Sequence, residues 1–185
     1  MRSVVSALGA LSAMALLGCA EDADVTESST FEPAPAEETG VTYDEDAVPA
    51  GAEFTVTSTT TNEDGTEVTL EVDGLEAERE FGAHVHTDPC GDAPEDSGPH
   101  YQDEEDPDVA ESEDSTDPDY ANPENEVWLD FTTDDTGAAS AEHTVDWQPR
   151  EGEANSIVLH EEHTATEEDE AGTAGDRLAC ITVEL

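Results

Sequence analysis

Phe81-Gly82-Ala83-His84-Val85-His86-Thr87-Asp88-Pro89-Cys90 carries two histidines two apart in an apolar, strand-like run, then a turn and a cysteine. On a β-strand, residues i and i+2 point to the same face. His84 and His86 therefore present two imidazoles to one ion without bending the backbone. Neutral imidazole is the common nitrogen donor for copper and zinc. The stretch thus sets two expectations: a β fold, and a metal held on the face of a strand.

The sequence on either side supports the β reading. Phe54-Thr55-Val56-Thr57-Ser58-Thr59 is rich in β-branched residues, Asn62-Glu63-Asp64-Gly65 signals a turn, and Val68-Thr69-Leu70-Glu71-Val72 alternates apolar and polar. Together they predict a hairpin. Further strands are expected over Val127–Thr132, Ser140–Val145, Ser156–His160 and Leu178–Glu184, with Asp135-Thr136-Gly137 as a turn. No helical period is evident anywhere in the mature chain. Short strands separated by turn clusters predict an all-β domain, a Greek-key barrel or sandwich of about eight antiparallel strands with long acidic loops. One such loop spans 101–126 and a second runs from Thr164 to Ala174. Structureless loops of the first one's length are usually functional or disordered.

The chain of 185 residues has 50 Asp and Glu against four Lys and Arg, a formal net charge of −46. There is no lysine; the arginines are Arg2, Arg79, Arg150 and Arg177. Such a charge excludes a nucleic-acid binder, which must neutralise phosphates, and opposes docking on an anionic membrane. A carboxylate-covered surface of this kind suits a halophilic acidic protein.

Residues 1–18 read as an export signal: Arg2 is the positive end, and Val4 to Leu17 form an apolar run too short to span a bilayer. Leu16-Leu17-Gly18-Cys19 resembles a bacterial lipobox, which makes Cys19 the lipid anchor and an extracellular-facing, membrane-anchored lipoprotein the expected localisation. A plain secretory leader is the alternative. Cleavage before Cys19 leaves three arginines against 50 acids, a net charge of −47. Residues 19–40, acidic and without apolar period, are expected to be a disordered tether, and residues 41–185 to form the folded domain.

Six histidines occur: His84, His86, His100, His143, His160 and His163. His100 follows Gly98-Pro99, a rigid turn, and His160 ends the strand Ile157-Val158-Leu159. If the fold brings His84, His86, His100 and His160 together, four imidazoles suit Cu(II) in tetragonal geometry. A lone His-x-His is more simply a polar pair on a strand; the two further histidines and the cysteines turn the reading toward metal. With Cys19 assigned to the anchor, Cys90 and Cys180 remain, and an even pair in an exported chain implies a disulfide. Thiolate ligation is the alternative, weakened by the absence of any Cys-x-x-Cys.

Over residues 41–185 the motifs resemble the Cu/Zn superoxide dismutases, most closely the exported actinobacterial type. Gly82-Ala83-His84-Val85-His86 is similar to the family's copper-ligand strand, and Gly98-Pro99-His100 to the turn bearing the histidine that bridges copper and zinc. Val158-Leu159-His160-Glu161 is similar to the strand with the fourth copper histidine. Gly172-Thr173-Ala174-Gly175-Asp176-Arg177-Leu178-Ala179-Cys180 is similar to the closing signature. The resemblance implies a Greek-key barrel, copper on His84, His86, His100 and His160, Arg177 as the substrate-guiding cation, and Cys90 paired with Cys180. It implies superoxide as substrate, with His100 leaving the metal on reduction and passing a proton to the forming peroxide.

The sequence departs from the family at zinc. No histidine lies between His100 and His143, and His143 falls beyond the expected zinc ligands. Glu126 stands near the place of the missing aspartate. A copper-only site is expected, with Glu126 orienting His100 in zinc's stead; zinc held by His100 and carboxylates is possible but not favoured, although carboxylate is an acceptable zinc ligand. His163 is off the pattern, so a surface or supporting role is expected for it. Two other classes compete with the enzyme. One is a non-catalytic copper-binding cell-surface lipoprotein, the other a structural or adhesive β-domain with incidental histidines. Retention of Arg177 favours the enzyme, since a carrier needs no substrate guide.

Overall fold

In a computed structural model of the chain, residues 23–35, 39–61, 65–110 and 112–185 are described. The expected leader, Cys19 and the turn residues Asn62, Glu63 and Asp64 lie outside them. Nine strands follow in order: β1 (Ala23–Pro33), β2 (Gly40–Thr42), β3 (Glu53–Thr61), β4 (Gly65–Asp73), β5 (Glu80–His86), β6 (Phe131–Thr132), β7 (Ala139–Val145), β8 (Ser156–His160) and β9 (Arg177–Thr182). The helical content of the described residues is one 3-10 turn, Pro94–Ser97, and no helix is long and apolar enough to cross a membrane.

The strands form one sheet in the order β6-β5-β8-β9-β2-β1-β3-β4-β7. Its two ends, β6 and β7, come into contact, so the sheet nearly closes into a barrel. The crossed neighbours β5 with β8 and β4 with β7 are those of a Greek key. Period-two burial decides the hairpin: Val68, Leu70 and Val72 of β4 face inward, while Glu67 and Glu71 face water. Phe54, Val56, Phe81, Ala83, Val85, Leu129, Phe131, Ile157, Leu159 and Ile181 join them in the core.

Three expectations need correction. The segment expected to be a tether contributes β1, whose residues Ala23 to Thr30 pair antiparallel with β3. Its acidic composition hid a run of Val, Thr and Ser with Phe31 at its end. Backbone pairing holds the strand, and Phe31, wholly buried, packs 5.0 Å from the ring of Phe54. Second, the about eight strands expected correspond to nine among the described residues, but not all are antiparallel: β1 meets β2 in a short parallel pair, Phe31 to Gly40 through Pro33 to Thr42. Third, of the expected strand Val127–Thr132 only Phe131–Thr132 pairs regularly. Upstream, the Asp130 carboxylate takes the Ala83 N–H at 3.2 Å and the His143 imidazole takes the Trp128 N–H at 2.9 Å. Side chains stand there for part of a regular ladder.

Cys90 and Cys180 form a disulfide with Cα atoms 5.7 Å apart, joining positions 90 residues apart in sequence. This ties the turn after β5 to β9.

Candidate metal centre

β5 is buried on both faces. Phe81, Ala83 and Val85 enter the core, so His84 and His86 project from the opposite face of the sheet. β8 pairs with β5, with Gly82 opposite His160 and His84 opposite Val158, so His160 shares that face. Gly82 makes room: a Cβ there would lie 2.8 Å from the Ala174 Cβ and 2.5 Å from the Glu162 carbonyl oxygen. The segment after β8 can therefore fold back over the site. His100 arrives from the turn after β5 and bridges to His86, with the Tyr101 N–H donating to the Val85 carbonyl at 2.8 Å.

The four imidazoles converge, with one ligand nitrogen of each within 4.8 Å of all the others. All are buried, at 0, 0, 7 and 4% exposure for His84, His86, His100 and His160. Outer hydrogen bonds fix which nitrogen looks inward for His84, His86 and His100, whereas His160 Nδ1 is buried without a partner and its Nε2 meets the cluster. His86 Nδ1 donates to the Gly98 carbonyl at 2.9 Å, which leaves Nε2 for the cluster, 3.3 Å from His160 Nε2. His100 Nδ1 lies 2.9 Å from Glu126 Oε2; a carboxylate only accepts, so Nδ1 carries the proton and Nε2 is free. His84 Nε2 lies 2.6 Å from Thr164 Oγ1, whose hydroxyl donates to Asp130 Oδ1 at 2.7 Å. That relay leaves His84 Nδ1 buried without a partner. A buried lone pair with nothing to bind is costly in a protein interior, and here it sits among three other imidazole lone pairs. The donor set fits a copper ion.

Electrostatics agree. Burial, then the other imidazoles and Arg177, push His84 and His86 well below the ordinary histidine range. Burial, then His100 and Arg177, bring His160 down to about 3; the Gly175 backbone favours its protonated ring, but less. Three neutral imidazoles are three ready ligands. His100 differs: burial lowers it, but the charge and hydrogen bond of Glu126, with Asp114, outweigh that and raise it.

Glu126, 1% exposed, has both carboxylate oxygens engaged. Oε2 also accepts from Trp128 Nε1 at 2.7 Å, and Oε1 accepts from Gln102 Nε2 at 2.7 Å. His143 is held apart from the cluster, its Nδ1 accepting the Trp128 N–H. His163 Nε2 pins the Phe131 carbonyl at 2.9 Å, so it too is structural. Among the described residues, the four histidines are the sole group of three or more His, Cys, Asp or Glu whose ligand atoms converge.

Arg177 stands at the edge of this cluster. A one-residue register shift between β8 and β9 sets it opposite His160, where an unbroken ladder would place the apolar Leu178. Its Nη1 donates to the Gly98 carbonyl at 2.7 Å and to Ser97 Oγ at 2.9 Å. The described parts of the acidic 101–126 loop fold beside the site: Arg150 donates to the carbonyls of Gln102 and Asp103, and Asn125 to that of Glu104. Sequence reasoning missed Thr164, Asp130, Gln102, Trp128 and Asp114 as supporting groups.

A nearly closed β-barrel bearing a buried four-imidazole cluster on one sheet face defines an all-β protein with a histidine group able to hold a metal ion. The model of the copper/zinc superoxide dismutase family matches residues 51–183. The chain belongs to that family. Among solved structures it is similar to a double mutant of a SOD-like protein from Bacillus subtilis, at 12% identity and a TM-score of 0.49, over 71% of this chain and 88% of that one. No curated protein matches the chain.

Proposed function

We propose that the protein is an exported, copper-only superoxide dismutase anchored through a lipid on Cys19. The observation that carries this reading is the convergence of four imidazole nitrogens, one of them an orphaned buried lone pair, beside a cation on β9. His84 through Nδ1, and His86, His100 and His160 through Nε2, would hold copper. Bound copper supplies one-electron chemistry in both directions: one superoxide is oxidised to dioxygen, and a second is reduced and takes two protons to give hydrogen peroxide.

The protein's part is positional and protonic. Glu126 keeps the His100 Nδ1 proton in place and its carboxylate stabilises the doubly protonated ring, so His100, whenever its Nε2 is not a metal ligand, can take a proton there and release it to the product. Zinc performs this orienting role elsewhere in the family. Here the Glu126 oxygens are taken by His100, Trp128 and Gln102, which supports a site for one metal. The Cys90–Cys180 disulfide fits an oxidising compartment.

A second reading, a copper-binding lipoprotein without turnover, draws on one observation: the Arg177 guanidinium is paired with Asp114 at 3.1 Å. Superoxide decay followed by stopped flow with copper-loaded protein separates the two. Catalytic decay supports the dismutase; stoichiometric consumption alone supports the carrier.

A further inference from the structure

The contact that weakens the case for Arg177 as a guide is itself a built feature. Asp114 Oδ2 lies 3.1 Å from Arg177 Nη2, and Asp114 Oδ1 accepts the backbone N–H of His100 at 2.7 Å. A chain with 50 acids and four basic residues meets many carboxylates by chance. This one is fixed at two points, one on the cation and one on the backbone of a metal-cluster histidine. Nη1 is occupied as well, shared among the Gly98 carbonyl, Ser97 Oγ and the Pro94 carbonyl. Asp114 therefore holds one Nη2 hydrogen and sets a carboxylate charge 3.1 Å from that nitrogen, where it opposes any anion drawn to Arg177. The side chains of the pair are 17% and 37% exposed for Arg177 and Asp114, so water and salt reach it, and such pairs are held weakly.

We infer that Asp114 is a specificity-determining residue that sets how strongly the site draws small anions, by competing with them for Arg177. Whether the anion drawn is superoxide rests on the function proposed above; the competition itself does not. A small anion must displace the Asp114 carboxylate or bind beside a charge already cancelled. The residue thus filters anions, and added salt, by screening the pair, loosens the filter.

The test uses Asp114→Asn in the full chain, because Asn keeps an oxygen to accept the His100 N–H while removing the charge. In metal-free protein, phenylglyoxal modification is followed by peptide mapping, with Arg79 and Arg150 as internal references. Arg177 is expected to react about two- to five-fold faster in the variant, the range of a solvent-reached ion pair, with both references unchanged. In copper-loaded protein, azide titrated by its charge-transfer band is expected to bind tighter by a similar factor at low salt, with the gap closing at high salt. Asp114→Ser, also neutral but too short to reach the His100 N–H, gives the same Arg177 reading by a different route should the Asn amide disturb that contact. Equal Arg177 reactivity and equal azide affinity in wild type and variants overturn the inference. If those shifts occur but no form dismutates superoxide, the proposed function fails and the anion filter stands.

Discussion

His100 Nδ1 donates to Glu126 Oε2 across 2.9 Å, with both side chains buried. The carboxylate also receives Trp128 and Gln102, so one acid gathers three donors from both ends of the 101–126 loop. In Glu126→Gln an amide replaces one oxygen, and at least one of the three donors faces another N–H. A buried donor left unmet costs about 1–3 kcal/mol. Loss of a group that orients a metal-binding histidine typically lowers affinity about 10- to 100-fold. Chelator competition should show copper held at least about tenfold more weakly, with a lower denaturation midpoint. Unchanged copper affinity removes Glu126 from the site.

Thr164 acts on the opposite side of the cluster. Its hydroxyl passes the His84 Nε2–H contact to Asp130, which also holds the Thr164 N–H at 2.7 Å. Thr164→Val is near-isosteric but cannot accept from His84. The expected result is copper binding weakened about tenfold or more, while Thr164→Ser restores it. Equal loss in the Val and Ser variants would show that the hydroxyl does not matter.

Acid should destabilise the metal-free protein. His160 falls from the ordinary histidine value of 6.5 to about 3 in the fold, and His84 and His86 are also well below 6.5. The unfolded chain then binds more protons than the fold below pH 6.5, so stability falls as pH falls toward the folded values. His100, raised, contributes the opposite way, with stability present below 6.5 and lost as pH rises through its folded value. One histidine opposes four, since burial also lowers His143. Between pH 7.5 and 5.5, where surface carboxylates stay ionised, His160 alone contributes a loss of about 1.4 kcal/mol. Urea melts in molar salt should show a lower midpoint at pH 5.5; a higher one contradicts the neutral-imidazole account.

Salt should raise dismutase activity from its low-salt value. A net charge of −46 repels superoxide and the chain's own carboxylates. The Debye length falls from ~10 Å at 0.1 M to ~3 Å at 1 M, which screens both, and the Arg177–Asp114 pair as well. Stopped-flow rates with circular dichroism at each salt concentration check this. A steady fall in rate while the protein stays folded is the contrary result.

The disulfide is expected to matter in proportion to the loop it closes. For positions 90 residues apart, chain-entropy models give about 4–5 kcal/mol. Replacing both cysteines by alanine should lower stability by that order in denaturant melts, and a change below about 1 kcal/mol would count against it.

Much of the barrel was legible because its strands are β-branched and alternate. Ser156–His160 has the same bounds in the sequence reading and in the structure. The four-histidine set was legible because His-x-His on a strand, a histidine after Gly-Pro and one at a strand end are sparse, positioned signals. β1 was not: its pairing partners lie some 30 residues onward, and one buried aromatic in an acidic run carries no period. Asp114, Asp130 and Glu126 are chemically alike among 50 acids. Only Glu126 had a positional cue, whereas what singles out Asp114 and Asp130 is contact with Arg177 and Thr164, which chain order does not reveal. His143 likewise gives no sign in sequence that its ring would hold the Trp128 N–H.

Metal titration of the full chain with copper and zinc together, read by elemental analysis and electron paramagnetic resonance, tests the central claim most directly. The account predicts one copper per chain with a nitrogen-rich signal from His84, His86, His100 and His160, and no zinc retained after dialysis. A tightly held zinc beside the copper, or a copper signal unchanged by His84→Ala or His160→Ala, would contradict it.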